Sequence, residues 1–535
     1  MQKKKSLLFP ATSSLIFTKK LNSAGYSDIR NFNWIRINAI ICLLALAFLF
    51  PLNSSFAQTK SAINKSVIKG LEYSYNFNWQ KAADIFQNLV DRYPGYPQGY
   101  HYIASIYMWH YLSNQDKRDY DLFVAYSDTA LEKAREILEK NPKNTNILFI
   151  IGADYSYRAI TFSKAEKFLD AVWASKKSEA YLNSTLEIDS SFYDAYLGLG
   201  LLNFAVGQIP GAFRWALSLA GIHGDKELGL SFIKKAAREG YTTKVEAEYY
   251  LSQILSDYLL DYGSADKYLK SLVQRYPNNL LFSYSYAVLN IKRRRLDDAR
   301  KYLLKVLRSD DSSFKQIKSF SSFLMGDIFY KKNMFDSAKG YYKEFLDSTN
   351  SDSYTGIANY RLAVCYEIIG DRTDAVRHFE AGTKGNMDIE DDIYAKRKCE
   401  IYEKRSMDMN ELSLTRFSNM VESGRYKIAI DSLSALLERA KTDKLKAEVY
   451  LQLSDASYHL GRYKEALNYA VSAKVLNSYD EKWIKPFACY YAAKADKLLG
   501  DEKAVKSFVE EAEQYSDYDY QKKLENMLFS LDSGN

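Results

Sequence analysis

The residue types that usually carry out chemistry are scattered along this sequence. Its histidines, His101, His110, His223, His378 and His459, show none of the spacings of a metal site, such as H-E-x-x-H. The sequence also contains no P-loop, no G-x-G-x-x-G and no G-x-S-x-G motif. We therefore predict no catalytic residues, no metal site and no cofactor, and we expect a protein that is not an enzyme.

A few smaller patterns have structural explanations. Gly198-x-Gly200 lies inside a predicted helix, where glycines favour close helix packing over phosphate binding. The carboxylate pairs Glu246/Glu248 and Asp297/Asp298 are typical of the charges at helix starts. These patterns predict packing and capping.

The cysteines also favour a structural role. Cys42 lies at the start of an apolar run near the N-terminus, and Cys365, Cys399 and Cys489 follow much later, with no C-x-x-C. We interpret the last three as small buried hydrophobic residues. A Cys365–Cys399 disulfide stays open as an alternative in an oxidising compartment.

A small residue that returns at regular intervals indicates the fold. Apolar residues recur at i, i+3, i+4 and i+7 throughout, and the 535 residues include only 8 prolines, so helices are predicted almost everywhere. Most of the recurring alanines are 34 to 39 residues apart, at Ala265, Ala299, Ala338, Ala375, Ala429, Ala466 and Ala504. A bulky residue usually follows four positions later. Such a period indicates a stack of helix pairs.

The motifs of these units resemble the tetratricopeptide repeat (TPR) family. In residues 63–96, Gly70 and Tyr73 take the family's positions on the first helix, and Ala82 and Phe86 those on the second. The turn Gly461-x-Tyr463-x-x-Ala466 repeats the pattern near the other end. The resemblance implies an all-α fold, a right-handed superhelix of about ten to eleven helix pairs with one inserted apolar helix.

Four segments are predicted along the chain. Residues 1–57 form an N-terminal extension and signal peptide, and residues 58–243 form N-terminal TPR-like units with an insert at 207–225. Central units occupy 244–390, and C-terminal units with a capping helix occupy 391–535. The 54-residue gap between Ala375 and Ala429 predicts one extra helix over 391–405.

The N-terminal segment predicts export. Ala39 to Leu52 carries no charge, Arg30 and Arg36 precede it, and a small-x-small site ends at Ala57. Fourteen apolar residues are too few for a spanning helix, which needs about 20. We expect cleavage near Ala57/Gln58 and a place in the periplasm or at the outer membrane of a bacterial envelope.

The charge balance argues against nucleic acid as a partner. Residues 1–57 hold seven Lys/Arg and one acidic residue, which leaves 66 basic and 65 acidic residues in the rest of the chain. The run Lys292–Arg295 is interpreted as a solvated turn, with a phosphate or lipid-headgroup site as the less favoured alternative.

The resemblance to TPR proteins implies that the first helix of each pair lines a concave groove that binds a protein or peptide. Carried over unit by unit, the residues expected to bind the partner are Tyr250, Asp257, Tyr258, Tyr284, Lys292, Phe323, Asp327, Tyr330, Tyr360 and Glu367. Ile291 shares the groove-facing side in the same unit as Tyr284 and Lys292. The partner's identity and the oligomeric state stay open.

The alternative function is membrane association or binding of a lipid or small ligand, through the apolar insert. The helix predicted over Ala212–Ala220 carries Phe213, Trp215 and Leu217 and only one charge, Arg214. Residues 203–243 also resemble a subgroup of TPR proteins linked to inclusion-body clearance and lipid handling. We favour an insert that plugs the inside of the superhelix over one that contacts a membrane or ligand.

Overall fold

A computed structural model of the chain describes residues 58–208, 221, 223–311 and 313–532. The predicted signal peptide and the insert residues Phe213, Trp215 and Leu217 lie outside the described residues, so these predictions stay predictions. Contacts divide the chain into residues 1–64, of which 58–64 are described and helical, and a unit of residues 65–535.

The described part of this second unit consists of antiparallel helix pairs and contains no strand. We number the pairs as units, with a first helix A and a second helix B. Units 1 to 4 are α1 (65–75) with α2 (Trp79–Arg92), α3 (Gln98–Asn114) with α4 (Lys117–Lys140), α5 (Thr145–Lys164) with α6 (Phe168–Ile188), and α7 (Ala195–Gln208) with α8 (Lys226–Glu239).

Units 5 to 8 follow without interruption. They are α9 (Lys244–Asp257) with α10 (Tyr262–Arg275), α11 (Leu280–Lys292) with α12 (Leu296–Leu307), α13 (Lys315–Lys331) with α14 (Phe335–Ser348), and α15 (Thr355–Ile369) with α16 (Arg372–Gly382).

A single extra helix, α17 (Glu390–Tyr402), separates unit 8 from the last three units. These are α18 (Met409–Glu422) with α19 (Tyr426–Arg439), α20 (Asp443–His459) with α21 (Tyr463–Val475), and α22 (Ile484–Leu499) with α23 (Glu502–Ala512). A final helix, α24 (Gln521–Asp532), covers the end. The predicted all-α superhelical repeat fold is confirmed, with eleven pairs in the described residues.

The recurring alanines lie where helix B meets helix A. The fully buried members are Ala265, Ala299, Ala338, Ala375, Ala429 and Ala466. Each is the fourth residue after the N-cap of its helix B, as Ala375 is after Asp371. A small residue on helix A faces the bulky residue that follows the alanine by four positions: a Cβ on Gly326 would lie 2.7 Å from the Tyr342 ring. The backbones therefore approach closely at each pair.

The alanine pattern is wrong by one position in unit 11. Ala504 is only partly buried there, and Val505 is buried in its place. The reason is that Asp501 caps α23, accepting a hydrogen bond from the backbone N–H of Ala504 (3.0 Å), which makes Val505 the fourth residue of the helix.

The buried alanines leave no room for larger side chains. We expect Ala375→Leu to lower the free energy of unfolding by about 1–3 kcal/mol, because overpacking forces neighbouring side chains and backbone apart. Ala504→Leu is the matched control, and its effect should stay within about 0.5 kcal/mol. Urea denaturation measures both. Equal effects of the two substitutions would contradict this assignment of the contact positions.

The superhelix brings unit 1 against units 5 to 7. The Asn279 side-chain amide donates to the Tyr75 carbonyl (2.8 Å), and the Tyr276 hydroxyl donates to Glu72 (3.0 Å). The rings of Phe77 and Phe314 stack with centroids 4.5 Å apart. The interior of the N-terminal half is therefore enclosed by residues more than 200 positions apart in sequence.

The basic run Lys292–Arg295 is mostly paired: Lys292 and Arg295 are exposed, as a solvated turn predicts, but Arg294 is largely buried. Lys292 pairs with Asp257 (2.6 Å) and Arg293 pairs with Asp266. Arg294 takes a positive φ of 58° at the turn before α12, which directs it at Asp455 and at Glu422 (3.3 Å). These ion pairs connect unit 6 to units 5, 9 and 10.

Candidate ligand-binding cavity

The A helices of units 7 to 11, together with α17 and α24, surround a cavity of about 800 Å³. This volume is within the usual range of ligand sites. Eight aromatic side chains line it, namely Tyr330, Tyr360, Tyr394, Tyr402, Trp483, Phe487, Tyr491 and Tyr520. The cavity therefore offers aromatic faces and hydroxyl groups on the inner side of the superhelix.

Helix α17 is held in this cavity wall by a buried carboxylate. Glu481 is 0% exposed and accepts from Arg397 (2.6 Å), Lys398 (2.7 Å) and the Trp483 indole N–H (2.7 Å). Burial raises the pKa of Glu481, but Lys398 and Arg397 outweigh burial and lower it to about 2. Lys444 adds a third positive group at 3.5 Å. Glu481 thus joins α17, α20 and the turn before α22.

Several other charges in the wall are already neutralised. Lys331 pairs with Glu422 at 3.1 Å, and Arg405 pairs with Glu411 at 2.7 Å. Burial raises the pKa of Glu422, but Lys331 and Arg294 lower it to about 2. At these positions a ligand therefore meets ion pairs instead of single charges.

Some lining groups do have free hydrogen-bonding capacity. The side chains of Asn410, Ser418 and Gln452 make no hydrogen bond to another described residue. Lys441 and Lys523 line the cavity and form no ion pair in that part of the chain. Amide and hydroxyl groups beside aromatic faces suit the backbone and apolar side chains of an extended peptide.

The predicted groove residues are only partly brought together here. Tyr330 and Tyr360 line the cavity. Phe323 is buried in the core, and Asp327 is buried, accepting from Tyr342 (2.7 Å) and pairing with Arg361. The remaining members do not line it: Glu367 pairs with Arg372, Lys292 with Asp257, and Tyr250, Tyr258 and Tyr284 lie in units 5 and 6.

Sequence reasoning missed the lining residues of α17 and α24. Tyr394 and Lys398 belong to the extra helix, and Tyr520 immediately precedes α24. The 54-residue interval between Ala375 and Ala429 signalled the extra helix, but gave no indication that it would line the cavity. The cavity lies among units 7 to 11, whereas the predicted groove residues lie in units 5 to 8, and α17 contributes to this difference.

A second buried polar group lies in the N-terminal half. Glu246 is 6% exposed, so its interpretation as an ordinary helix-start charge is wrong. Its two carboxylate oxygens accept from the Tyr157 hydroxyl (3.1 Å each). Burial raises the pKa of Glu246 to about 7, although hydrogen bonds from Tyr157 and Trp109 act in the opposite direction. Glu246 faces inward, where Tyr157 of α5 and Trp109 of α3 donate hydrogen bonds to its carboxylate.

Next to Glu246, three buried residues resemble a catalytic set in composition only. Asp154 accepts from Ser127 and lies 2.9 Å from Nδ1 of His101. The serine hydroxyl contacts the carboxylate and accepts from Arg158 (2.6 Å), with no imidazole nitrogen beside it. All three side chains are closed to solvent. This cluster therefore satisfies buried polar groups between α3, α4 and α5.

Neither a metal site nor a disulfide appears among the described residues. No group of three or more His, Cys, Asp or Glu side chains there is arranged to hold a metal ion. Cys365, Cys399 and Cys489 are free and buried, as the interpretation of small hydrophobic residues predicted. Nor, in the same residues, is any helix both long and apolar enough to cross a membrane.

Family models identify the repeats. The model of Iml2/Tetratricopeptide repeat protein 39 matches residues 151–387, which include the segment 203–243. Two further tetratricopeptide repeat models match residues 72–96 and 414–478. Together the three models match more than half of the chain. The chain is a tetratricopeptide repeat protein, and such proteins are generally non-catalytic scaffolds for protein interaction.

Solved structures of similar type include yeast Tom70, at 12% identity and a TM-score of 0.29, covering 84% of this chain and 99% of that one. The human IFIT1 dimer with PPP-AAAA is 16% identical, with a TM-score of 0.33 and coverage of 77% and 93%. The TPR domain of P58(IPK) is also 16% identical, with a TM-score of 0.19 and coverage of 71% and 95%. No curated protein matches the chain.

Proposed function

We propose that this protein is an exported, non-catalytic TPR scaffold that binds an extended peptide segment of a partner protein in the inner cavity of units 7 to 11. The observation that carries the proposal is the cavity itself, about 800 Å³ in volume and lined by eight aromatic side chains. The cavity is lined by A helices, which TPR proteins generally use to contact partners.

The lining chemistry supports a peptide over a strongly charged small molecule. Aromatic faces provide anchors for apolar side chains, which usually dominate the energy of such contacts. The unpaired amides of Asn410 and Gln452 can exchange hydrogen bonds with a peptide backbone. Most of the ionic groups in the wall are already committed to one another, so charge alone does not select the ligand.

The test blocks the cavity and measures capture of partners from an envelope extract. We expect Gln452→Trp, which fills part of the cavity, to reduce capture of the specific partner at least tenfold. Glu438→Trp is the matched control, because Glu438 is exposed on the outer helix α19, and it should capture as much as wild type. Thermal melting of both variants confirms that they fold.

Two outcomes bear directly on this proposal. A folded Gln452→Trp variant that captures the same partners as wild type contradicts binding in the cavity. Loss of capture by Glu438→Trp alone would place the interaction on the outer surface and would also contradict it.

Export is the second part of the proposal, supported by the order of charged, apolar and small residues before Gln58. N-terminal sequencing of the protein from its native cells should begin at or within a few residues of Gln58. A protein that retains Ala39–Leu52 and stays with membranes after a carbonate wash would contradict cleavage and would favour membrane association.

A further inference from the structure

A groove between units 1 and 6 carries positive charge that the described residues do not neutralise. It has a volume of about 1110 Å³ and lies between residues 76–80, which form the α1–α2 turn and the start of α2, and helix α12. This cationic groove is separate from the inner cavity, since the two have no lining residue in common.

One wall of the cationic groove is a face of α12. It presents Arg300, Lys301, Lys305 and Arg308, and none of the four forms an ion pair with a described residue. The Lys305 ammonium donates to the carbonyl of Pro277. Like charges four positions apart on a helix repel each other, so this face is electrostatically unfavourable by itself.

The acidic residues of the groove do not relieve that repulsion. Asp297 pairs with Lys332, which lies outside the groove, and Asp311 accepts from the backbone N–H of Ser313 (2.7 Å). The cations of α12 differ in this respect from the basic run Lys292–Arg295, in which Lys292, Arg293 and Arg294 each have a carboxylate partner. Positive charge therefore remains on α12 for a partner to neutralise.

The opposite wall is neutral and polar. It consists of Asn76, Asn78, Gln80 and Asn278 with the rings of Phe77 and Trp79. Side-chain amides offer both a donor and an acceptor, which matches the peptide backbone. A groove with cations on one side and amides on the other fits a peptide that carries its negative charges on one edge.

We propose that the cationic groove binds an extended acidic segment of a protein. The four cations lie between positions 300 and 308, at the C-terminal end of α12, eight helical steps or about 12 Å along the axis. An extended chain covers that distance in about four residues. Acidic side chains at alternate positions point to the same side about 7 Å apart, close to the axial separation of Arg300 and Lys305, about 7.5 Å.

The probe is a fluorescein-labelled dodecapeptide of alternating glutamate and serine, with alternating glutamine and serine as its control. Fluorescence anisotropy with the full-length chain measures both. We expect binding of the glutamate peptide that weakens as salt rises, and at least tenfold weaker binding of the glutamine peptide. Trp79 provides a second readout, since ligand-induced change in emission should be lost in Trp79→Phe.

The test variant is Arg300→Gln/Arg308→Gln. We expect it to weaken binding of the glutamate peptide at least tenfold. Both side chains are exposed, so the melting temperature should not change. The matched control is Lys267→Gln/Lys270→Gln, which removes two exposed charges from the neighbouring outer helix α10 and should change binding less than threefold.

Three results would overturn the proposal. They are equal weakening by the test and control variants, equal binding of the two peptides, and binding of polyphosphate or anionic vesicles in the absence of peptide binding. The test is independent of the proposed function. If Gln452→Trp does not reduce partner capture, binding of the glutamate peptide to the cationic groove is unaffected, because the inner cavity and the cationic groove are tested by different substitutions.

Discussion

Glu481→Gln is expected to lower the free energy of unfolding by about 3–5 kcal/mol, the usual effect of removing one partner of a buried ion pair. Glu481 is fully buried and accepts from Arg397, Lys398 and Trp483. The neutral amide leaves the buried Lys398 ammonium without its ion-pair partner, while Arg397 keeps Asp519 as a counter-charge. Urea denaturation at neutral pH measures the change.

The contribution of Glu481 to the free energy of unfolding also depends on pH. Its pKa is lowered to about 2 in the folded chain from an ordinary value of 4.5. Its stabilisation is therefore present above pH 4.5 and is lost as pH falls toward 2. The difference between wild type and Glu481→Gln should shrink over that interval.

The control for Glu481 is an exposed ion pair of the same type. Glu465 lies 3.5 Å from Arg462, and both side chains are about half exposed. Glu465→Gln should change the free energy of unfolding by no more than about 1 kcal/mol. Similar losses at Glu481 and Glu465 would show that α17 is not held by this carboxylate.

Glu246→Gln is expected to stabilise the protein at pH 8 by roughly 3 kcal/mol, the value of a shift from 4.5 to about 7. A carboxyl group whose pKa is raised on folding stabilises in its protonated form. That contribution is complete below pH 4.5 and is lost as pH rises through 7. Glutamine keeps the acceptor for Tyr157 and does not ionise.

Thermal or urea unfolding at pH 5 and at pH 8 tests this prediction. The variant's advantage over wild type should grow between the two pH values. Glu227→Gln, an exposed carboxylate at the start of α8, serves as the control and should show no such growth. Parallel pH profiles for Glu246→Gln and wild type would mean that this carboxyl group is not desolvated.

The two predictions concern residues whose local sequence contexts differ. Glu481 lies in a turn between units and carries no local signal of burial. Glu246 lies in the first turn of α9, where an acidic residue is ordinary at a helix start. In both cases the partners, Lys398 and Tyr157, are more than 80 residues away in sequence.

The sequence by itself determined the helix pairs, because their contacts are local. A small residue on helix B meets a small residue on helix A within the same unit, as Ala466 and Ser454 show, whose hydroxyl donates to the Ala466 carbonyl (2.8 Å). The same local pattern located the extra helix α17 and the capping helix α24. Its single error, at Ala504, came from a cap displaced by one residue.

Only the tertiary structure decided which surfaces face each other across the superhelix. The angle between successive units accumulates along the chain, and it brings Arg294 to Asp455 and Asn279 to Tyr75. No local sequence pattern encodes the accumulated angle. The buried charges, the inner cavity and the cationic groove could therefore not be predicted from the sequence. Solvent exclusion by residues far apart in sequence turns ordinary surface residue types into buried or ligand-facing groups.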